Sequence, residues 1–415
     1  MSISFAPKNR VKIGAVLVVS CCSSVYAGGV DDSMVSLGGF GTLGAVHSSE
    51  QQADFTTNFF KPNGAGYTRD WSLSVDSLIG AQVTVKIAPR LLAVLQVITQ
   101  QNYDNTYRPH VEWADLKYQI TPDLSVRVGR IVLPSFLISD SRNVGYANPW
   151  LRPPLEVYGL IPISSSDGAD MSYRLRIGDV TQTLVGTYGY STPSIPLHGA
   201  VEARHLWLIG DTIEYGATTL HIAYEEARLT VDYLGDLFDA YRQFGPPGNA
   251  LADKYDLENK RVTFLGLGGM YDPGNWFIAA EWGTTDLNSV LGKNTGWYVS
   301  SGYRVKKFTP YLTYGIAKTN NLSDPGLSLS SLPPYLAGPA AGLNAGLNSV
   351  LSTKRVQSTI SAGARWDFIK NADLKLQFDH TRIGAGSSGE LINLQPAFAL
   401  GARVNLISVT FDFVF

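Results

Sequence analysis

The sequence predicts an all-β fold: one closed antiparallel β-barrel of sixteen strands that crosses a membrane. Three observations predict it. Charged residues make up only 16% of the 415-residue chain while mean hydropathy is +0.01, which fits neither an ordinary soluble surface nor a bundle of apolar helices. Hydrophobicity alternates with a period of two through most of the chain. Short polar turns alternate with long segments, so the long connections gather at one end. The 41 Gly, 21 Tyr, 17 Phe and 8 Trp beside 4 Met and 2 Cys suit turns and strands. A net charge of -2 gives no reason to expect a nucleic-acid partner.

The N-terminus comes first in chain order. Lys8, Arg10 and Lys12 precede an apolar run from Ile13 to Cys22, and small residues lead to Ala27. This pattern is a secretory signal expected to be cleaved after Ala27, and its run is too short for a spanning helix. A second reading stays open, because Val18-Val19-Ser20-Cys21 loosely matches a lipoprotein processing box that would leave Cys21 lipidated. Cleavage after Ala27 removes both cysteines, so a mature chain of residues 28–415 has no thiol or disulfide chemistry. It also removes three positive and no negative side chains from totals of 33 and 35, leaving a net charge of -5.

No later stretch resembles a transmembrane helix, so membrane residence requires a closed barrel. In Val75 to Ile87 the odd positions carry Ile79, Ala81, Val83, Val85 and Ile87, and the even ones Asp76, Gln82, Thr84 and Lys86. One face suits lipid and the other water. The alternation returns in Met171 to Ile177, Ile360 to Phe368 and Leu374 to Asp379. Leu91 to Ile98 is apolar on both faces, and Arg403 to Phe415 changes phase near Leu406-Ile407, which predicts a bulge there.

Seven short turns are expected around residues 88–90, 121–123, 178–180, 216–217, 272–275, 306–307 and 370–373. Eight long loops alternate with them, near 47–69, 102–109, 134–168, 191–200, 229–259, 287–294, 319–354 and 384–398. Sixteen strands follow, with short periplasmic turns and long external loops. Trp71, Trp113, Trp207, Trp276, Trp297, Trp366, Tyr215, Tyr271, Tyr303, Tyr311, Phe368 and Phe411 tend towards strand ends, where amphipathic rings favour the membrane interface. Two loops carry helical spacing instead: Val231, Leu234, Leu237, Phe238, Tyr241 and Phe244 predict a short amphipathic helix, and Leu343, Leu347, Val350 and Leu351 a fainter one.

The chain ends Val409-Thr410-Phe411-Asp412-Phe413-Val414-Phe415, an alternating strand with a terminal Phe. This resembles the last strand of Gram-negative outer-membrane proteins. Arg365-Trp366-Asp367-Phe368 with Asn371, Asp373, Lys375, Gln377 and Asp379 resembles the penultimate hairpin of proteobacterial porins, and Gly38-Gly39-Phe40-Gly41-Thr42-Leu43 a porin first strand. The resemblance implies a homotrimeric, sixteen-stranded general porin of the bacterial outer membrane, surrounded by outer-membrane lipid. Phe415 would be part of the signal read by the barrel-assembly machinery, and the third external loop would fold into the lumen. The 134–168 segment occupies that place and is rich in Pro and apolar residues that need something to pack against. The acidic-glycine motif of that loop is matched only loosely, by Glu156-Val157-Tyr158-Gly159.

A narrow lumen selects by width and by opposed charges. The loop offers Asp140, Arg142, Arg152, Glu156 and Asp167 at the constriction. Parity places Arg127, Arg174, Arg176, Arg365, Lys375 and Arg403 on the facing pore wall. The expected function is passive diffusion of small hydrophilic solutes and ions, without cofactor, metal or catalysis. A substrate-specific channel for a sugar or small organic acid is the alternative, since Phe277, Tyr298 and Tyr311 have lumen parity and could form an aromatic track. The six histidines show no metal spacing and no tie to a nucleophile motif, and a Ser/His site around His380, Ser387 and Ser388 has no further support in the sequence.

Overall fold

The computed structural model describes residues 34–415 apart from 197–198, 232–233, 321–322 and 353–354. The expected signal segment and Cys21 lie outside the described residues. Sixteen strands of nine to seventeen residues form one closed barrel, each paired with its neighbours in sequence. They are β1 (Val35–Ser48), β2 (Leu78–Ala88), β3 (Leu91–Gln100), β4 (His110–Gln119), β5 (Leu124–Val132), β6 (Ser165–Ile177), β7 (Val180–Ser191) and β8 (Gly199–Tyr215). The second half comprises β9 (Thr218–Val231), β10 (Lys260–Tyr271), β11 (Trp276–Leu287), β12 (Gly292–Tyr303), β13 (Phe308–Thr319), β14 (Gln357–Ile369), β15 (Ala372–Ile383) and β16 (Arg403–Val414). β1 closes the ring by pairing with β2 on one side and β16 on the other, with Phe40 opposite Val414 and Ser48 opposite Leu406.

Every strand exposes at least one large aliphatic side chain outward, from Leu43 on β1 through Val128 on β5 and Leu312 on β13 to Ile407 on β16. The inner face carries the polar partners of the alternation, such as Gln82 and Gln96, bonded across β2 and β3 at 2.9 Å. Two-residue turns at Gly178-Asp179 and Gly216-Ala217 close tight hairpins, and both glycines have φ near +60°, which side chains disfavour. Seven turns of two to four residues lie at one end; of the eight connections at the other end seven are longer, and the one expected at 287–294 shrinks to the four residues 288–291 because the flanking strands extend into it. Loop 1 spans residues 49–77, loop 3 133–164, loop 5 232–259, loop 7 320–356 and loop 8 384–402. Among the described residues no helix is long and apolar enough to cross a membrane.

The bulge expected at Leu406-Ile407 is absent. β16 keeps one register against β1 and β15, and the change of phase arises because Val404 and Leu406 face inward and pack with Ile383 beneath loop 8. β3 is apolar on both faces, with Val94 and Ile98 buried inside while Leu95 is exposed outside. Bulges occur elsewhere, as between Arg204 and Trp207, where His205 takes φ 49°. At the short-turn end, rings run in contact from Phe308 through Trp366, Phe368, Phe411 and Phe413 to Phe415. Tyr311 departs from the interface expectation and is buried in the lumen. Trp113 also turns inward, opposite Gln96, with its indole nitrogen buried.

Loop 3 contains a four-residue helix, α1 (Leu155–Tyr158). The first amphipathic pattern forms α2 (Gly235–Arg242), with Val231 instead the last residue of β9; a separate helix, α3 (Pro246–Tyr255), follows, and the fainter pattern is the 18-residue α4 (Pro334–Leu351). These three helices share an apolar core of Phe238, Tyr241, Ala252, Tyr255, Leu347 and Leu351 at the long-loop end. Asn344 on α4 accepts from the Tyr241 hydroxyl at 3.2 Å and fixes their register.

Candidate constriction and solute path

Loop 3 leaves β5 and crosses the lumen instead of extending outward. Its apolar residues explain the course: Phe136, Trp150, Val157 and Tyr158 are buried against Phe264, Phe277, Tyr298 and Tyr311 of the inner wall. Burying such rings contributes roughly 1.5–3 kcal/mol each. Polar contacts then fix the loop position. Glu281 of β11 accepts from the Tyr158 hydroxyl at 2.5 Å, the Tyr298 hydroxyl at 2.7 Å and the Leu137 amide at 2.9 Å. The Trp150 indole donates to Ser300 at 2.6 Å, and Ser135 donates to Glu225 at 2.8 Å. Phe277, Tyr298 and Tyr311 are thus covered by Trp150 and neighbouring loop atoms, and they do not form an open aromatic track.

The sequence-derived constriction residues divide by environment. Arg152 reaches from the loop into the wall, with Nη2 2.6 Å from Asp76, Nη1 3.1 Å from Asp379, and Ser408 accepting at 2.7 Å. Its charge is fully matched. Glu156 lies buried in α1 and accepts from Gln357 at 3.1 Å, and burial holds its carboxyl above the ordinary value. Asp140 sits within electrostatic reach of Arg127, which is itself paired with Asp170 at 2.5 Å. Arg142 differs from all of these. Its guanidinium lies over the Phe136 and Tyr158 rings at 6.0 and 5.8 Å, with no hydrogen bond or ion pair to a described residue. Asp167 is not in the loop: it lies on β6 with outward parity, paired with Arg130 of β5 at 2.7 Å. The loop ends earlier than expected because 165–168 pairs with β5 and β7.

The wall residues also differ from an open ladder of arginines. Arg365 donates to the carbonyls of Tyr146 and Asn148 at 2.7 and 3.0 Å, and Lys375 to that of Gly145 at 2.6 Å, while Asp373 and Asp412 balance their charges. These two cations therefore hold the loop backbone. Arg127 and Arg174 have inward parity on β5 and β6, Arg174 towards the short-turn end, where its amide donates to the Asp123 carbonyl at 2.8 Å. Arg176 shares that parity but sits at the turn end, paired with Asp123 at 3.0 Å where both are exposed. Arg403 is corrected: without the bulge it keeps the outward parity of Ile407 and Val409, at the long-loop rim. Phe415 caps the closure seam, its amide donating to the Gly39 carbonyl at 2.9 Å and its carbonyl accepting from the Gly39 amide at 2.8 Å.

Two clefts flank α1. The first, with about 500 Å³ of open space, is lined by Phe55, Arg152, Glu156, Gln357, Asp379 and Thr381 among others. The second, with about 350 Å³, lies between loops 1, 3, 7 and 8 and is lined by residues that include Asn58, Phe59, Arg142, Tyr158, Arg355 and Glu390. Arg355 lies over the Phe59 ring at 5.0 Å, and burial pushes the Glu390 carboxyl up to about 7. Asn58, Phe59, Arg355 and Glu390 escaped the sequence reading. They come from three loops without local pattern, and only tertiary folding brings them together.

No protein-family model and no curated protein sequence matches the chain. Solved structures do match in shape. OmpF of Salmonella typhi, solved with daunomycin, is similar at TM-score 0.55 and 14% identity, over 92% of this chain and 97% of that one. The outer membrane channel DcaP of Acinetobacter baumannii is similar at TM-score 0.54 and 12% identity, with the same coverages of 92% and 97%. OmpT, an outer membrane protein of Vibrio cholerae, gives 0.51 and 10% identity over 93% and 99%. Sequence identity this low speaks to architecture alone. With sixteen strands, closure of β1 on β16, all long loops at one end and the third folded inward, the chain has the fold of the outer-membrane porins.

Proposed function

We propose that the chain is a bacterial outer-membrane porin, a water-filled channel for passive diffusion of small hydrophilic solutes and ions along their gradient. The observation that carries this reading is loop 3. A long loop drawn into a barrel and tied to its wall by matched charges narrows the passage without a moving part, as a fixed filter requires. Asp140 on the loop lies within electrostatic reach of Arg127 on the wall, itself paired with Asp170, so in this reading an entering ion meets charge of both signs there. The outer aliphatic band and the aromatic strip at the short-turn end suit a lipid surround. Outer-membrane localisation, export behind a cleaved signal and assembly as a homotrimer belong to this reading, with Phe415 as the residue offered to the assembly machinery.

Single-channel recording of the purified mature protein under a salt gradient tests it. Ohmic steps in groups of three with a modest reversal potential support the trimeric channel, whereas absence of conductance from well-folded barrels refutes it. A substrate-specific channel is the second reading. It draws on the second cleft, where charged groups lie beside apolar side chains.

A further inference from the structure

The second cleft holds two guanidiniums that form no ion pair among the described residues, although Glu112 of β4 lies within electrostatic reach of Arg142 and Glu390 of loop 8 within reach of Arg355. Arg142 comes from loop 3 and Arg355 from the end of loop 7, and neither side chain has a carboxylate within ion-pair distance among the described residues. Each lies over aromatic rings instead, Arg142 over Phe136 and Tyr158, Arg355 over Phe59. Elsewhere in the lumen the cations that loop 3 engages are matched, as Arg152, Arg365 and Lys375 are. A half-buried guanidinium without an anion keeps five donors largely unused and bears a desolvation cost, which an anion entering the cleft would relieve. The planar fork of arginine suits a carboxylate, which it can grip with two parallel bonds. The rest of the lining selects further. Phe59, Leu155 and Pro162 present apolar surface, of little use to inorganic phosphate but suited to a ring or short aliphatic body.

We propose that the cleft between loops 1, 3, 7 and 8 is a binding station for a small carboxylate with an apolar body, held by Arg142 and Arg355. The station rests on the channel reading above, since it would lie on the solute path beside α1. Its occupant is held weakly enough to leave, as conduction requires. Glu390 of loop 8 shares the cleft. Facing it are Arg355 from loop 7, Glu156 and Gly159 from loop 3, and Gln357 at the start of β14, whose side-chain oxygen accepts the Glu390 amide at 2.9 Å. When Glu390 is neutral, Arg355 is left to the solute. When it ionises, it competes for Arg355 and repels the incoming carboxylate.

The test is single-channel current through the mature protein in symmetric potassium chloride, with benzoate added on one side and benzyl alcohol as the uncharged control. Benzoate is expected to interrupt the current in a concentration-dependent way, and benzyl alcohol to leave it unchanged. Arg142→Gln and Arg355→Gln should each raise the half-blocking concentration about tenfold or more, the scale of one charge-assisted hydrogen bond. Block should weaken from about pH 6 to about pH 8 in the natural protein and become flat in Glu390→Gln. Unchanged benzoate block in the double arginine variant overturns the proposal, as does equal block by benzyl alcohol or inorganic phosphate. If the double variant does not assemble, Glu390→Gln decides, and natural pH dependence of its block overturns the station. An open channel that benzoate never blocks refutes the station alone, whereas a barrel that conducts nothing refutes the channel reading.

Discussion

Arg152 shows how one side chain of this lumen works. It was legible as a loop charge, but its partners Asp76 and Asp379 are 76 and 227 positions away, and no local pattern announces them. Sequence reasoning therefore set loop acids against wall bases, while the structure also places a base of loop 3 between an acid of loop 1 and an acid of the wall. Arg152→Ala leaves two buried carboxylates without their cation, a loss of about 3–5 kcal/mol for a broken buried pair. It is expected to lower the temperature at which the folded band is lost on unheated gels and to make open-channel current noisier. Glu390 gives a pH prediction of stated sign. Its folded pKa of about 7 lies above the ordinary glutamate value, so the proton is held up to that pH and lost above it. The anion-to-cation permeability ratio, read from the reversal potential, is expected to fall as pH rises through about 7 in the natural protein and to stay flat in Glu390→Gln. Asp167 and Arg403 were misplaced because strand parity is only as good as the strand limits, and an error of one residue reverses a face.

Strands were the most legible elements, because each solves the same problem of lipid outside and water inside. Leu312 sits mid-strand on the outer face of β13, and Leu312→Arg should destabilise the folded barrel by about 2–4 kcal/mol, measured by reversible unfolding in detergent or lipid. Exceptions to alternation, such as Val404 and Leu406, mark where an infolded loop replaces water as the inner neighbour. That substitution is not visible from one strand alone. Helices α2 and α4 were visible through spacing of three and four, whereas α3, with Pro246-Pro247-Gly248 at its start, lacks a clear apolar stripe. The closure seam makes its own prediction. A Cβ at Gly39 would run into the Phe415 ring and one at Gly41 into the Phe413 ring, so these glycines accept the rings of the last strand. Gly39→Val is expected to reduce the fraction of heat-modifiable barrel in the outer membrane while synthesis is unchanged, and Gly186→Val on β7, where a Cβ meets nothing, should have little effect.

For the whole molecule, the number of strands and the sidedness of the loops followed from counting connections, a property of order in the chain that needs no contacts. The interior could not be counted in that way. It depends on which wall strands the third loop meets, and those meetings join residues far apart in sequence. Removing 139–158 from loop 3 should enlarge single-channel conductance several-fold, since the segment fills space that water would then occupy, and an unchanged conductance would place the narrowest point elsewhere. The loop also has a mechanical consequence. Its attachments reach β9 at Glu225, β11 at Glu281, β12 at Ser300, β14 at Arg365, β15 at Lys375 and Asp379, and β16 at Ser408. It also reaches β4, where Asn143 and Ser164 donate to Glu112 at 3.3 and 2.6 Å. It is a strut fastened across a ring, stiffening the arc it spans against flattening. A ring braced in this way yields where the strut does not reach, so lateral compression by the bilayer would be taken up by the arc from β6 to β8, and any ovalisation of the pore would begin there.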